Sequence, residues 1–520
     1  MTERKRKILI VGGGTAGWLT AGYLARRLGA DLPHGVSVQL VESEAIGILG
    51  VGEGTFPTIR RTLETIGIDE AELVRRCGAT FKQGARFIGW RRAPADGPAD
   101  DYLHCFQPAN ATDGLDLLPY WLLGVAGDRG WDEVSSPQRR AVDAHRAPKL
   151  PQHPDYTGPL NYAFHFDAAR LAELLRDQAV ANGVEHLVDT VREVLVAQDG
   201  AIGGVRTEAA GVLTADLYID CTGFRAELIG KALGMPFRSC RDQLFCDTAL
   251  AVQVPYARPD DAIASCTLST AQEAGWIWDI GLDQRRGIGH VFSSAHMDDD
   301  LAEAALRAYA GPRAADLEVR RFRFDAGYRE TSWHRNCVAI GLSSGFFEPL
   351  EATGIVFSEV AASMVANLFP WGGDYETSAR QFNDIMRRRY ARTRDFLKLH
   401  YCLSERRETA FWRDNAEVAG IPDSLGELLD RWRFRPPSEM DIDANVDIFG
   451  EASWQYVLYG MGWKTDLAPR AGLYRYFDQA RAAFAEVDQQ ARYAVANLPS
   501  NRQLVDFART RRFGPQGVAA

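Results

Sequence analysis

A glycine-rich turn near the N-terminus most strongly limits the folds open to this chain. Residues 7–11 form a short apolar run, Gly12, Gly14 and Gly17 follow it, and residues 18–28 are typical of a helix. In this setting the first glycine permits a tight turn, the second lets a diphosphate approach the backbone, and the third lets the helix pack on the strand. The helix N-terminus offers amides and the positive end of a dipole. The pattern predicts a Rossmann-like dinucleotide site.

The next apolar run narrows the type of nucleotide. Residues 36–41 form a second strand pattern that ends at Glu42. An acid at this position accepts hydrogen bonds from a ribose 2′-hydroxyl, which favours a non-phosphorylated adenosine and argues against NADP. The alternative is a glycine turn in a Rossmann-like fold that holds no ligand.

Two distant segments favour FAD over NAD. Residues 215–223 read ADLYIDCTG and residues 337–345 read CVAIGLSSG, and each is an apolar strand pattern that ends in small residues. Strands that return to one nucleotide site from far along the chain are typical of FAD domains, whereas a simple NAD domain would be contiguous. We therefore expect FAD.

Charge and cysteine usage exclude several classes of protein. The formal net charge of -10 argues against nucleic acid as the main partner. The eight cysteines are scattered without a CxxC pair, which suits a reducing compartment better than a disulfide framework or a metal site. No apolar stretch approaches the ~18 to 20 residues of a membrane span. We expect a cytoplasmic protein with no metal site, no membrane association and no nucleic-acid partner.

Further motifs carry a resemblance to a known family. They are residues 50–57 (GVGEGTFP), 79–84 (ATFKQG), 161–167 (NYAFHFD), 220–225 (DCTGFR), 275–282 (GWIWDIGL) and 346–355 (FFEPLEATGI). In this order, over nearly the whole chain, they resemble the flavin-dependent tryptophan halogenases. The resemblance implies FADH2-dependent halogenation of an electron-rich arene (indole, a tryptophan-like compound or another arene) with O2 and chloride or bromide. It also implies a separate NAD(P)H-dependent flavin reductase, and the chain shows no second nucleotide-binding loop.

The resemblance assigns two catalytic residues. Lys82 matches the lysine that meets hypohalous acid, either by hydrogen bonding it or by becoming a haloamine, and burial would lower the pKa of such a lysine. Glu351 matches the carboxylate that stabilises the cationic ring intermediate and accepts its proton. The alternatives are a solvated surface lysine and a helix-start acid favoured by the dipole. Glu348 competes with Glu351 for the role of base.

The resemblance also assigns anion and cofactor contacts. The amides of Thr353 and Gly354, before a helical pattern over residues 355–368, would hold the halide; alternatively, Thr353 only caps that helix. Residues 50–57 match the strap that closes over the flavin in this family. The expected cofactor contacts are Gly12, Gly14, Thr15, Ala16, Gly17, Glu42, Gly52, Glu53 and Leu342.

Trp276 and Trp278 alternate with Ile277, so a strand would place both indoles on one face. In the family these tryptophans lie along the flavin and keep the substrate away from it. The alternative is an aromatic stripe in the core. Gly281 stands where the family usually has proline, which puts local rigidity in question.

The substrate region is less informative. His104 and Phe106 match an aromatic floor for the substrate, although Cys105 replaces a proline and His104 could equally be a core histidine. Phe449 and Trp454 are further candidates for substrate contacts. Their local sequence, VDIFGEASW, differs from the pattern of enzymes that act on free tryptophan. We therefore favour an indole or another electron-rich arene.

Together these patterns predict an α/β fold with a Rossmann-like FAD-binding domain of the flavin monooxygenase type. Residues 1–100, 150–230 and 335–370 would form the FAD-binding unit, residues 235–330 a mixed sheet between flavin and substrate, and residues 371–520 a helical cap over the substrate. The rival functions are a single-component FAD-dependent aromatic hydroxylase and a non-catalytic halogenase-like FAD-binding protein. A homodimer is left open.

Overall fold

The computed structural model describes residues 5–44, 52–93, 100–109 and 114–515. Gly50 and Val51 of the expected strap lie outside these residues. The chain divides into two compact units, each built from three segments. Unit 1 comprises Met1–Gly78, Phe166–Cys240 and Phe324–Tyr390, and unit 2 comprises Ala79–His165, Arg241–Arg323 and Ala391–Ala520.

The secondary structure contains strands and helices in alternation before residue 350 and mainly helices after it. The strands are β1 Lys7–Val11, β2 Ser37–Glu42, β3 Gly52–Gly54, β4 Thr80–Lys82, β5 Gly84–Ile88, β6 Asp101–Cys105, β7 Ala163–Asp167, β8 Glu185–Val188, β9 Val191–Val196, β10 Ile202–Thr207, β11 Val212–Leu213, β12 Leu217–Asp220, β13 Arg238–Ser239, β14 Thr248–Pro255, β15 Thr267–Gln272, β16 Gly275–Gly281, β17 Arg285–Phe292, β18 Arg320–Arg323, β19 Gly327–Tyr328, β20 Trp333–His334, β21 Cys337–Ala339 and β22 Gly345–Phe346. The helices are α1 Thr15–Arg27, α2 Ile59–Ile66, α3 Glu70–Cys77, α4 Leu118–Leu122, α5 Trp131–Val134, α6 Gln138–Asp143, α7 Ala168–Ala181, α8 Asp299–Ala310, α9 Thr353–Asn367, α10 Tyr375–Cys402, α11 Ala410–Asn415, α12 Asp423–Trp432, α13 Glu451–Gly460, α14 Phe477–Asn497 and α15 Asn501–Thr510.

Unit 1 is built on a largely parallel sheet with the strand order β20-β21-β12-β1-β2-β8. The central strand, β1, pairs in parallel with β2 and β12, and β12 pairs in parallel with β21. Ile8, Leu9 and Ile10 are fully buried, as expected for a parallel strand covered on both faces. The two distant segments, residues 215–223 and 337–345, each place a strand in the sheet of β1: β12 pairs with β1, and β21 pairs with β12.

Helices α1, α7, α9 and α2 pack together within unit 1. Helix α1 allows this close packing partly through Gly22, where a Cβ would lie 3.2 Å from Cγ2 of Ile66 and 3.6 Å from Cβ of Ala179. Helix α7 begins after Asp167, whose carboxylate accepts hydrogen bonds from the amides of Ala169 and Arg170. The packing holds α1 and α9 side by side in one layer.

Unit 2 contains a seven-stranded sheet with the order β18-β14-β17-β16-β15-β5-β6. Its strands are antiparallel to their neighbours except for β15 and β5, which run in parallel. Ile277 on β16 packs into an apolar cluster with Leu250, Ile288 and Leu306 of α8. Strand β16 is paired on both edges, with β15 and with β17, so its backbone and the direction of its side chains are well defined.

The predicted α/β class, with sheets and a helical C-terminal part, is confirmed. Residues 79–100 and 150–165, which we expected to join the FAD-binding unit, belong to unit 2. The reason is strand pairing, because β5 runs beside β15 with Ala85 opposite Thr267. The assignment of a function to each segment stays a prediction. Within the part of the chain that the structure describes, no helix is long and apolar enough to cross a membrane.

Candidate functional site

The glycine loop of unit 1 leaves room for an anion at the start of α1. A Cβ on Gly12, whose φ is 111°, would overlap the carbonyl oxygen of Cys221, and a Cβ on Gly17 would overlap that of Gly12. A Cβ on Gly14, in contrast, would meet no described atom within 4 Å. Gly14 is the N-cap of α1, and no described side chain caps the helix. The amides of Thr15 and Ala16 thus meet the requirements of a diphosphate site.

Glu42 lies beside this loop at the end of β2. Its Oε1 is 2.8 Å from Nε2 of His186 on the neighbouring strand β8, and a Cβ on Gly13 would overlap the Glu42 carboxylate. Because a carboxylate only accepts hydrogen bonds, Nε2 of His186 is the donor. The His186 ring packs edge-on to Trp18, with centroids 4.9 Å apart. The expected ribose-binding acid is therefore held against the glycine loop by a histidine that sequence reasoning missed.

The third strand of the expected FAD domain also reaches the glycine loop. A 3-10 turn over Gly341–Ser343 follows β21. A Cβ on Gly341, whose φ is 75°, would lie 2.7 Å from Cβ of Ala16. Leu342, an expected cofactor contact, lies in this turn and is half-buried. These positions fit an extended dinucleotide.

Glu53 lies on β3, within residues 52–57 of the expected strap, which the structure describes. It is half-buried, and burial together with the charge of Asp167 raises its pKa to about 7. Gly52 before it is buried. The surroundings of Glu53 therefore disfavour its charged form.

The start of α9 has an unusual backbone. Glu351 (φ 63°, ψ 12°) and Ala352 (φ 54°, ψ 42°) are consecutive left-handed residues, although neither is glycine. Such conformations cost about 1–3 kcal/mol each and are concentrated at functional sites. Helix α9 begins at Thr353, so Ala352 is the N-cap, and no described side chain caps the helix. A Cβ on Gly354 would meet no described atom within 4 Å, which leaves space for a halide beside these amides.

The interpretation of Thr353 as the cap of α9 is wrong. Thr353 is the first helical residue and not the cap, so capping does not explain its presence. Glu351 and Glu348 are both buried, at 5% and 0% exposed, and Glu351 lies two residues before the start of α9, so a helix-start acid favoured by the dipole stays an open interpretation of Glu351. Further along α9, the buried carboxyl of Glu359 accepts a hydrogen bond of 2.6 Å from the hydroxyl of Thr62 on α2.

Lys82 of unit 2 is buried, with 2% of its surface exposed, which excludes the interpretation as a surface charge. It lies on β4, opposite Ala163 on β7. Its Nζ is 5.2 Å from the centroid of the Phe106 ring, a cation–π distance. Two residues earlier, the Thr80 hydroxyl donates to the carbonyl oxygen of Gly281 at 2.6 Å, which ties β4 to the end of β16.

The expected substrate residues of unit 2 form one aromatic cluster. His104 lies 6.5 Å from Phe106 and 6.3 Å from Phe449, measured between ring centroids. Phe449 stacks on Phe396 at 3.7 Å, and Phe396 contacts Trp454 at 4.9 Å. Trp454 is completely buried. We use the name aromatic cluster for His104, Phe106, Phe396, Phe449, Trp454 and Tyr456.

Phe396 and Tyr456 were missed at the level of sequence. Phe396 lies in the long helix α10, where a single aromatic residue has the same signal as any core position. Tyr456 follows Trp454 by two residues on α13, and its hydroxyl donates to the carbonyl oxygen of Gln107 at 2.8 Å.

Trp276 and Trp278 share one face of β16, as predicted. Their ring centroids are 6.3 Å apart at an interplanar angle of 60°, and both side chains are buried. Trp278 pairs with Gly289 on β17. Lys82 and the tryptophan pair belong to unit 2, whereas Glu351 and the glycine loop belong to unit 1.

Comparison with known proteins identifies the family of the chain. Residues 7–472 match the family described as tryptophan halogenase. The chain is 38% identical to the tryptophan 6-halogenase of Streptomyces toxytricini, covering 96% of this chain and 97% of that protein. It is 33% identical to the tryptophan 7-halogenase of Lentzea aerocolonigenes, covering 96% of this chain and 98% of that protein. The solved tryptophan halogenase of Shewanella frigidimarina superposes with a TM-score of 0.93 at 40% identity, covering 99% of both chains.

These relatives span almost the full chain, and they do not favour the hydroxylase or the non-catalytic alternative. The glycine loop, Glu42 and the strands that return to β1 have the geometry expected of a nucleotide site in a flavin-dependent enzyme. The chain belongs to the tryptophan halogenase family and is a flavin-dependent halogenase that uses reduced FAD and a halide.

Proposed function

We propose that this enzyme halogenates an electron-rich arene of the indole class, with Lys82 carrying the halogen and Glu351 accepting the ring proton. The observation that carries the proposal is the burial of Lys82 against the ring of Phe106, at the edge of the aromatic cluster. A buried lysine is less stable in its charged form, and a neutral amine is the form that reacts with an electrophile.

Several groups of unit 1 would hold the cofactor and the halide. The amides that begin α1 would bind the diphosphate of FAD and Glu42 the adenosine ribose, with Gly52, Glu53 and Leu342 as further contacts. The amides of Thr353 and Gly354 would bind chloride or bromide. When bound, reduced FAD and O2 supply the oxidation that converts the halide to hypohalous acid.

The side chains would then act in two steps. The neutral amine of Lys82 either donates a hydrogen bond to hypohalous acid or attacks its halogen, which forms an N–halogen bond and releases water. A ring carbon of the arene takes the halogen, and the electron pair of the cleaved bond stays on the oxygen or nitrogen. The carboxylate of Glu351 stabilises the cationic ring and removes the proton from the substituted carbon.

The aromatic cluster supports a ring-shaped substrate. His104, Phe106, Phe449 and Trp454 gather in one region of unit 2, and aromatic side chains are favourable neighbours for an indole ring. Free tryptophan is the second candidate substrate, because the relatives of Streptomyces toxytricini and Lentzea aerocolonigenes are named for it. We also propose that a separate NAD(P)H-dependent reductase supplies the reduced flavin through transient encounters.

The test combines the purified enzyme with FAD, a flavin reductase, NADH and bromide, and offers indole and L-tryptophan in parallel. Brominated product, detected by mass spectrometry, is expected with the reductase and absent without it. Hydroxylated product, or NADH consumption without reductase, would instead indicate a single-component hydroxylase. An enzyme that binds FAD but brominates no arene of a broad panel would contradict the proposal.

A matched pair of variants tests the role of Lys82. Lys149 is a second buried lysine of unit 2, with its Nζ 4.3 Å from the centroid of Phe513. Lys82→Met should lower bromination at least about a hundredfold with FAD binding intact, whereas Lys149→Met should brominate normally. Equal activity of the two variants would rule out a specific role for Lys82.

A further inference from the structure

His165 is a buried histidine beside Lys82 in the strand pair of β4 and β7. Thr80 lies opposite His165, and Lys82 lies opposite Ala163. Opposite residues of an antiparallel pair share a face, and so do alternate residues of one strand. His165 is therefore the diagonal neighbour of Lys82 on the same face, with Cα atoms about 7–8 Å apart in such pairs. Both side chains can meet across that distance.

Only one of the two ring nitrogens of His165 has a hydrogen-bond partner among the described residues. Nε2 lies 2.8 Å from the hydroxyl oxygen of Thr267. Nδ1 has no hydrogen-bond partner among the described residues, although the residue is completely buried. A buried polar atom without a partner is rare in native proteins and calls for an explanation in terms of function or strain.

The electrostatic surroundings of His165 favour the neutral, singly protonated imidazole. Burial and the positive charge of Lys82 hold the pKa of His165 well below its usual range, so the imidazole is neutral near pH 7. In a neutral imidazole one nitrogen donates and the other accepts. A positive charge near the nitrogen without a partner favours the tautomer in which that nitrogen carries the lone pair and Nε2 donates to the Thr267 hydroxyl.

We propose that His165 is a positioning residue for Lys82: the Nδ1 lone pair, which has no partner among the described residues in this structure, accepts a hydrogen bond from the lysine amine when that side chain turns toward the ring, and so fixes the nitrogen for halogen transfer. The inference rests on the proposed role of Lys82. A neutral imidazole accepts such a bond from the ammonium and from the neutral amine, so it holds the nitrogen throughout the cycle. Because its pKa is depressed, the ring positions the lysine and does not take its proton.

Two conservative variants separate the two ring nitrogens. The amide of His165→Gln reaches the place of Nε2 and keeps the bond to Thr267, whereas His165→Asn puts an amide oxygen near the place of Nδ1. Thr267→Val removes the partner of Nε2 and serves as the control. The measured quantity is the fraction of NADH-derived electrons that end in halogenated product, together with its pH profile.

His165→Gln should lower this coupling about tenfold with FAD binding unchanged, whereas His165→Asn and Thr267→Val should keep most of it. Wild-type coupling in His165→Gln, or an equal loss in all three variants, would overturn the proposal.

A measurement on the flavin-free protein keeps this inference separate from the proposed function. In protein labelled with 15N-histidine, the Nδ1 signal of His165 should report a hydrogen-bond acceptor and should shift in Lys82→Met. An unchanged signal would overturn the proposed contact, even if the enzyme halogenates as expected. If no arene is halogenated but the signal shifts, the contact stands and the proposed function fails.

Discussion

The indole of Trp278 occupies the space that a side chain at Gly289 would need. The two residues pair across β16 and β17, and a Cβ on Gly289 would overlap the six-membered ring of Trp278. A glycine on a central strand is unfavourable unless another group approaches closely, and here the indole provides the reason.

Gly289→Ala is therefore expected to displace Trp278. Overpacking of this kind costs roughly 1–3 kcal/mol of the free energy of unfolding. Because the tryptophan pair is proposed to screen the substrate from the flavin, the halogenated product formed per NADH should fall. Tryptophan fluorescence and product analysis measure both effects. Gly426→Ala on α12, where a Cβ meets no described atom within 4 Å, is the control. If the product formed per NADH were unchanged in Gly289→Ala, the position of Trp278 would have no effect on the coupling of NADH oxidation to halogenation.

Gly14→Ala should weaken FAD binding without harming the fold. The new Cβ would meet no described atom of the protein, so the free energy of unfolding should stay close to wild type. The methyl group would, however, enter the space in which a diphosphate approaches the helix amides. We expect the dissociation constant for FAD, measured by fluorescence titration, to rise about tenfold or more. Gly12→Ala, which overlaps a carbonyl oxygen, should instead fail to fold normally. Unchanged FAD affinity in Gly14→Ala would place the diphosphate elsewhere.

The features that the sequence predicted correctly depend on residues that are close together along the chain. The strand, glycine turn and helix of residues 7–27 follow from steric demands within one short segment. The common face of Trp276 and Trp278 follows from the period of a strand. The resemblance, carried by short motifs, supplied Lys82 and Glu351 as candidates.

Other features depend on pairing between distant segments. His186 meets Glu42 only because β8 runs beside β2, and Phe396 joins the aromatic cluster only through the packing of α10 against distant residues. The left-handed backbone at Glu351 and Ala352 also cannot be predicted from the sequence, because neither residue type favours that conformation. Register and packing decide these features, and single-sequence patterns do not contain them.

The two buried acids before α9 should differ in their effect on turnover. Glu351→Gln keeps the size of the side chain and removes the proposed base, so we expect the turnover number to fall about a hundredfold or more. Glu348→Gln, at a fully buried neighbouring position, should lose far less. Single-turnover product formation with saturating arene measures the difference, and circular dichroism confirms that both variants fold. A larger loss of turnover in Glu348→Gln would mean that Glu348, and not Glu351, is the base.

The buried carboxyl of Glu359 should make stability depend on pH. Burial raises its pKa from 4.5 to about 8, although the hydroxyls of Thr58 and Thr62 partly oppose this shift. Between these two values the folded chain binds more protons than the unfolded chain. The free energy of unfolding that depends on this group is therefore fully present below pH 4.5 and declines as the pH rises to about 8.

Glu359→Gln removes this titration. Relative to wild type, the variant should become more stable as the pH rises through that window, by an amount on the order of 2 kcal/mol. Urea unfolding at a series of pH values measures the difference. Glu64→Gln, at an exposed position on α2, changes the net charge equally and should show no such trend. A constant difference between Glu359→Gln and wild type across the window would mean that Glu359 is ionised in the folded enzyme. The contact between α2 and α9 would then hold a buried charge, stabilised by the two threonine hydroxyls.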